Sequence, residues 1–177
     1  RYNLAIPNQE IRNIMTDHIL QLFKEDVAKD GAMVETFCQA LVDGNADRIE
    51  QLFTEYLTKT ISVRDTFVRK PVKENFYHGI LLGILSYKGG WYVTSNRESG
   101  DGFSDIMVRI DDEDVGIIIE VKYAENGKEE EMSRKALLQI HEKHYEKVLL
   151  DEDIHKVMNY GIACNKKKCK VSMEISE

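Results

Sequence analysis

The stretch FSDIMVRIDDEDVGIIIEVKY, residues 103–123, constrains this chain more than any other, because it allows one strand register. With the acidic tetrad Asp111, Asp112, Glu113 and Asp114 as the turn, antiparallel partners have numbers that sum to 225. Ile110 then faces Val115, Val108 faces Ile117 and Ile106 faces Ile119. That face is wholly apolar and β-branched, which makes it the buried face. The other face sets Arg109 by Gly116, Met107 by Ile118, and Asp105 directly opposite Glu120, with Lys122 two residues further along. A slip of one residue mixes the two faces. Directly opposed carboxylates, with Cβ atoms about 5 Å apart, destabilise a sheet by up to ~1 kcal/mol unless a cation sits between them.

Two carboxylates on adjacent strands supply hard oxygen ligands suited to Mg²⁺ or Mn²⁺, and their repulsion is relieved when such an ion binds. The carbonyl of Val121 is a further candidate ligand. Lys122 shares the face of Glu120, so its ammonium is within reach of a water or a phosphate at the ion. Metal, carboxylates and lysine together suit phosphodiester hydrolysis. The alternative is a surface ion-pair cluster in which Lys122 compensates the two acids.

At 177 residues the chain can bury one sizeable core, or a core with a small appended unit. No apolar run approaches the ~20 residues that cross a bilayer, so no membrane partner is expected and a cytoplasmic location is. The net charge of −7 argues against a protein that coats nucleic acid by charge alone. Basic residues cluster at Arg69, Lys70 and Lys73, at Arg134 and Lys135, and at Lys166, Lys167, Lys168 and Lys170, runs that are ordinarily solvated faces. Three cysteines, Cys38, Cys164 and Cys169, have no CxxC spacing and are read as buried or inert thiols. Cys164 and Cys169 flank NKKK and could face each other across a hairpin, which keeps a disulfide or half a metal site open. A start at Arg1 rather than Met suggests a piece of a longer protein.

PNQEIRNIMTDHILQLFKEDV, Gly31 to Val42 and Ala46 to about Leu57 have helical spacing and make residues 1–70 a helical subdomain. From residue 71 the pattern changes: a helix over PVKENFYHGILLGILSYKGG, a strand at Trp91 to Ser95, the loop NRESGDG and the hairpin. A long helix follows over GKEEEMSRKALLQIHEKHYEKVLL, with Met132, Leu137, Ile140, Tyr145 and Val148 as its buried stripe. A short helical stretch near Ile154 precedes the last strands, Val157 to Cys164 and Cys169 to Ile175. Residues 71–177 thus read as an α/β layer with a mixed sheet whose final strands need a crossover. There is no GxxxxGK[ST] loop; Gly79 and Gly83 in GILLG are a close-packing feature.

The sequence resembles the PD-(D/E)XK nuclease superfamily in its SD followed by IIIEVK, with a Glu-bearing helix before and a Gln-bearing helix after. PNQEIR, FYHGILLGILSY, SNRESGDGFSDIMV, IIIEVKYAE and ALLQIHEKHY resemble, more narrowly, the nuclease-like domain found C-terminal to AAA-ATPase-like domains in many bacterial proteins. The resemblance implies a restriction-endonuclease-like core, a mixed sheet flanked by helices, and an ATPase-like domain upstream. It implies a Mg²⁺-dependent nuclease acting on nucleic acid, with DNA the substrate expected. By position, Asp105 and Glu120 match the metal ligands, Lys122 the catalytic lysine and Glu74 the helical acid that supports the metal. Gln139 resembles a Gln of RecB-like members, and Tyr145 is a looser match. Ser104 stands where the superfamily has Pro.

Other residues weigh less. His141 and His144 in HEKH lack HExxH spacing and are read as exposed helix histidines. Arg97 and Glu98 either touch a phosphate or cap a loop. His78 is read as packed, and DDED as a solvated turn. Homo-oligomerisation is left open, as is a nuclease-like module without activity that binds nucleic acid or protein.

Overall fold

A computed structural model describes residues 31–60, 70–95, 106–110, 113–125, 127–150 and 154–177. Helices α1 (Gly31–Val42), α2 (Ala46–Thr60) and α3 (Lys70–Leu85) precede strands β1 (Trp91–Ser95), β2 (Ile106–Ile110) and β3 (Val115–Tyr123). Helices α4 (Glu129–Glu142) and α5 (Tyr145–Leu150) then lead to β4 (Lys156–Asn165) and β5 (Lys168–Ser176). The helix expected over residues 7–27 lies outside the described residues, as do Arg97, Glu98, Ser104, Asp105, Asp111 and Asp112.

The five strands form one sheet in sequence order, antiparallel except for the parallel pair β3–β4, which α4 and α5 connect. This is a mixed sheet with helices on both sides, an α/β restriction-endonuclease-like core. Within the hairpin, Ile106 pairs with Ile119, Met107 with Ile118, Val108 with Ile117 and Arg109 with Gly116, the register that sums to 225. Both faces are buried, however, not the β-branched one alone. Ile106, Val108, Ile117 and Ile119 join a core with α1, α2 and α3, while Met107 and Ile118 join a second core with Ile140, Tyr145 and Leu149. The crossover helices cover the face that an isolated hairpin would leave wet, which is the usual consequence of a parallel pair.

Packing of α1 and α2 on the sheet is continuous. Phe37, Leu41, Phe53 and Leu57 share one core with Tyr160 and Ile162, and the Tyr160 hydroxyl donates to the Leu41 carbonyl (2.5 Å). Gly44, at φ 73°, turns the chain between the two helices. Its missing side chain leaves room for the methyl groups of Met173 and Met158, which would lie 2.4 and 2.9 Å from a Cβ.

Several local expectations differ from the structure. The long helix after β3 is broken: α4 ends at Glu142, His144 takes φ 54°, and α5 restarts at Tyr145. The bend lets Tyr145 and Leu149 reach the same core as Ile140. The residues of α4 deepest in the fold are Ser133, Ala136 and Ile140, whereas Met132 and Leu137 are half-buried; the side chain of Val148 is not among those described. Small residues face the sheet because α4 lies directly on Gly161, where a Cβ would stand 2.0 Å from the Ser133 carbonyl oxygen and 2.6 Å from the Leu137 nitrogen. The close approach is therefore here and not at Gly79, around which no atom of the described residues lies within 4 Å of a Cβ position. Ile154 itself lies in neither a helix nor a strand and packs under Gly116.

Candidate active site

β3 places alternate residues on opposite faces, so Glu120 and Lys122 point together toward α4 while Val121 turns into the core under α1–α3. Glu120 pairs with Gly161, and the absence of a side chain at that neighbour brings α4 close over the carboxylate. Glu120 is 1% exposed, and its Oε1 accepts from the Lys122 ammonium at 2.7 Å. The ammonium also donates to Gln139 Oε1, on the last turns of α4. Two of the expected site residues, Glu120 and Gln139, therefore converge on a third, Lys122.

The second oxygen of Glu120 is buried and, among the described residues, has no hydrogen-bond partner. Burial pushes the Glu120 carboxyl above its ordinary range. The charge of Lys122 and its hydrogen bond oppose the shift, Lys143 opposes it weakly, and Glu74 adds to it. A desolvated carboxylate with one oxygen unsatisfied is costly unless a proton or a cation meets it. The donor set, hard oxygens beside a lysine, fits a hard divalent cation. No group of three His, Cys, Asp or Glu residues comes together among the described residues.

Glu74 reaches the same strand from α3, on the other side. Its Oε1 accepts the backbone N–H of Tyr123 at 3.1 Å, which fixes the end of β3 immediately after Lys122. Lys73, one residue earlier, stacks over the Tyr123 ring at 4.3 Å. Tyr145, by contrast, packs with Met107, Ile118 and Ile140.

Among the histidines, His141 is half-buried and meets Glu174 at 3.2 Å, His144 is exposed, and His78 contacts the Ser95 hydroxyl at 3.2 Å. Asp114 accepts from His155, so the end of the acidic turn is braced rather than merely solvated. Cys164 and Cys169 are paired across β4–β5 and, like Cys38, are buried free thiols. Burial pushes Cys38 and Cys169 up to about 12 and Cys164 upward as well, which makes them inert.

Sequence reasoning missed Gly161 and Lys143. A lone glycine inside the strand pattern VMNYGIACN is a signal of close backbone approach and points to Gly161. Lys143 carries no such signal, since its proximity to Glu120 depends on where α4 ends.

A mixed sheet with a buried Glu-x-Lys on its third strand, steadied by a glutamine from the crossover helix, defines a restriction-endonuclease-like α/β protein. The family model of the PD-(D/E)XK nuclease superfamily matches residues 72–174, and the chain belongs to that superfamily. A comparison with curated proteins gave no match.

Proposed function

We propose that the chain is a metal-dependent nuclease domain that hydrolyses phosphodiester bonds, with DNA as substrate. One observation carries the reading: the buried Glu120 carboxylate, held by Lys122 through one oxygen and unsatisfied at the other among the described residues. Glu120, with Asp105 and the Val121 carbonyl, would hold Mg²⁺ or Mn²⁺, and Glu74 would support it. A divalent cation supplies positive charge against the phosphoryl oxygens and acidifies water. Lys122 orients the attacking water and meets negative charge that grows on the phosphate. Gln139 fixes the ammonium so that it does not collapse fully onto Glu120.

The larger setting belongs to the same proposal: residues 71–177 form the nuclease core, residues 1–70 a helical addition, and an ATPase-like domain lies upstream in a cytoplasmic protein. The resemblance of PNQEIR and FYHGILLGILSY supports that setting. The rival reading, a silent module that binds nucleic acid or protein beside an ATPase, draws on the net charge of −7.

Titration of Mn²⁺ into wild type and Asp105→Ala by calorimetry, followed by cleavage of plasmid and single-stranded DNA in the same samples, separates the two. The nuclease binds metal and cuts, and loses both on substitution. The silent module binds its partner equally well with Asp105→Ala or Lys122→Ala and cuts nothing.

A further inference from the structure

We propose that the β4–β5 turn is a phosphate-binding ledge that seats the nucleic-acid backbone beside the candidate active site. The proposal deepens the nucleic-acid reading above and rests on it. Residues 165–170, NKKKCK, line a cavity of about 720 Å³ with Gly127 and Glu129. Four lysines, Lys166, Lys167, Lys168 and Lys170, there face one glutamate, in a chain whose net charge is −7. A local concentration of positive charge against an acidic background is an electrostatic footprint for a polyanion.

Two of the four are already engaged. Lys170 pairs with Glu50 at 3.0 Å, and Lys167 donates to the Thr58 carbonyl at 3.1 Å. Among the described residues the ammonium groups of Lys166 and Lys168 have no carboxylate partner, so both are available to phosphate. The turn that carries them is held in place. Lys166 takes φ 53°, a left-handed conformation that suits glycine or asparagine better than lysine, and its carbonyl accepts the Tyr77 hydroxyl at 2.7 Å. Tyr77 lies on α3 one turn from Glu74, so one helix braces both the end of β3 and the lysine turn.

Placement completes the argument. β3 and β4 are parallel, Lys122 pairs with Ala163, and Lys166 follows three residues later, roughly 10 Å along at ~3.3 Å per residue. Both features thus lie toward the carboxyl ends of the parallel strands, where open α/β sheets receive ligands. A strand of nucleic acid whose scissile phosphate lies at Lys122 passes its neighbouring phosphates over the turn.

The test measures binding of fluorescein-labelled DNA, single-stranded and duplex, by the whole 177-residue chain in EDTA, across a series of salt concentrations. Lys166→Asn with Lys168→Gln removes both charges and leaves at 166 a residue that accepts positive φ. The expected result is a loss of affinity of about ten-fold and a fall of about 1.5 in the slope of log K against log salt, as for two lost phosphate contacts. Lys166→Asn alone gives about half that fall in slope and keeps the test open if the double variant folds poorly. Lys59→Gln, an exposed lysine of α2, is expected to change neither quantity. Unchanged affinity and slope in the turn variants, with wild type binding DNA, overturns the ledge and leaves the nuclease reading standing. Absence of DNA binding by wild type, in EDTA and again with Ca²⁺ in place of EDTA, overturns both.

Discussion

Lys122 lies 2.7 Å from Glu120, two positions earlier on the same face of β3, with the lysine side chain 19% exposed and the glutamate side chain 1%. The pair is thus asymmetric: the lysine is partly open to solvent, and the acid lies behind it. A buried ion pair is a weak stability device, because desolvation offsets most of the Coulomb attraction. Under the proposed nuclease reading the pair serves chemistry rather than stability, and substitutions separate the two.

Replacement of the lysine tests its role directly. Lys122→Met is expected to lower metal-dependent cleavage by about 10²–10³-fold, the loss typical of one removed charge-stabilising donor. Circular dichroism should retain the wild-type spectrum. Wild-type cleavage rates in the variant would leave Lys122 as no more than the counter-charge of Glu120.

Glu120 contributes a pH dependence to stability. Its folded-state pKa is raised above the ordinary value of 4.5, so the folded protein holds the proton more tightly than the unfolded chain. The contribution of this group is therefore fully present below that ordinary value and declines as pH rises through the folded value. Glu120→Gln, which keeps an acceptor for Lys122, should flatten that part of the metal-free stability curve. At neutral pH its Tm should equal or exceed that of wild type, by ~2–4 °C for each kcal/mol relieved. Mn²⁺ should raise the Tm of wild type and not that of the variant; a steeper pH dependence in the variant contradicts the assignment.

Gln139 contacts the Lys122 ammonium and is expected to act through it. Gln139→Ala should lower kcat by about 10- to 100-fold with little change in KM, as expected when a partner that orients a functional group is removed. Gln139→Glu retains an acceptor at the same reach and should recover part of the rate. Equal losses in both variants would point to a structural role alone.

Gly161 is predicted to be intolerant of any side chain. A Cβ would lie 2.0 Å from the backbone oxygen of Ser133, and backbone does not move aside as a flexible side chain does. Gly161→Ala should cost about 3 kcal/mol or more, seen as a lower midpoint in urea denaturation. Gly79→Ala, with open space among the described residues and a helical position, should be neutral or slightly stabilising.

How much was legible in the sequence follows from the range of the interactions. The hairpin register was legible because alternation has a period of two residues and a slip mixes the faces, so Ile106 against Ile119 and Arg109 against Gly116 needed no tertiary information. Helices α1 and α2 were legible in the same way, from spacing and from the DGNAD stop between them. That Glu120 and Lys122 share a face also follows from strand geometry alone.

The tertiary structure alone decided the rest. Burial of Glu120 depends on α4 lying against the sheet at Gly161, and the Lys122–Gln139 contact depends on where along the sheet that helix rests. The split between α4 and α5, the burial of both sheet faces and the proximity of Lys143 to Glu120 arise likewise from how the crossover packs. Local periodicity sets which residues share a face, because it depends on backbone geometry a few residues long. What covers that face, and hence whether a carboxylate on it is solvated or desolvated, is set by contacts between segments far apart in the chain, and in this protein that difference turns a Glu-x-Lys motif into a candidate active site.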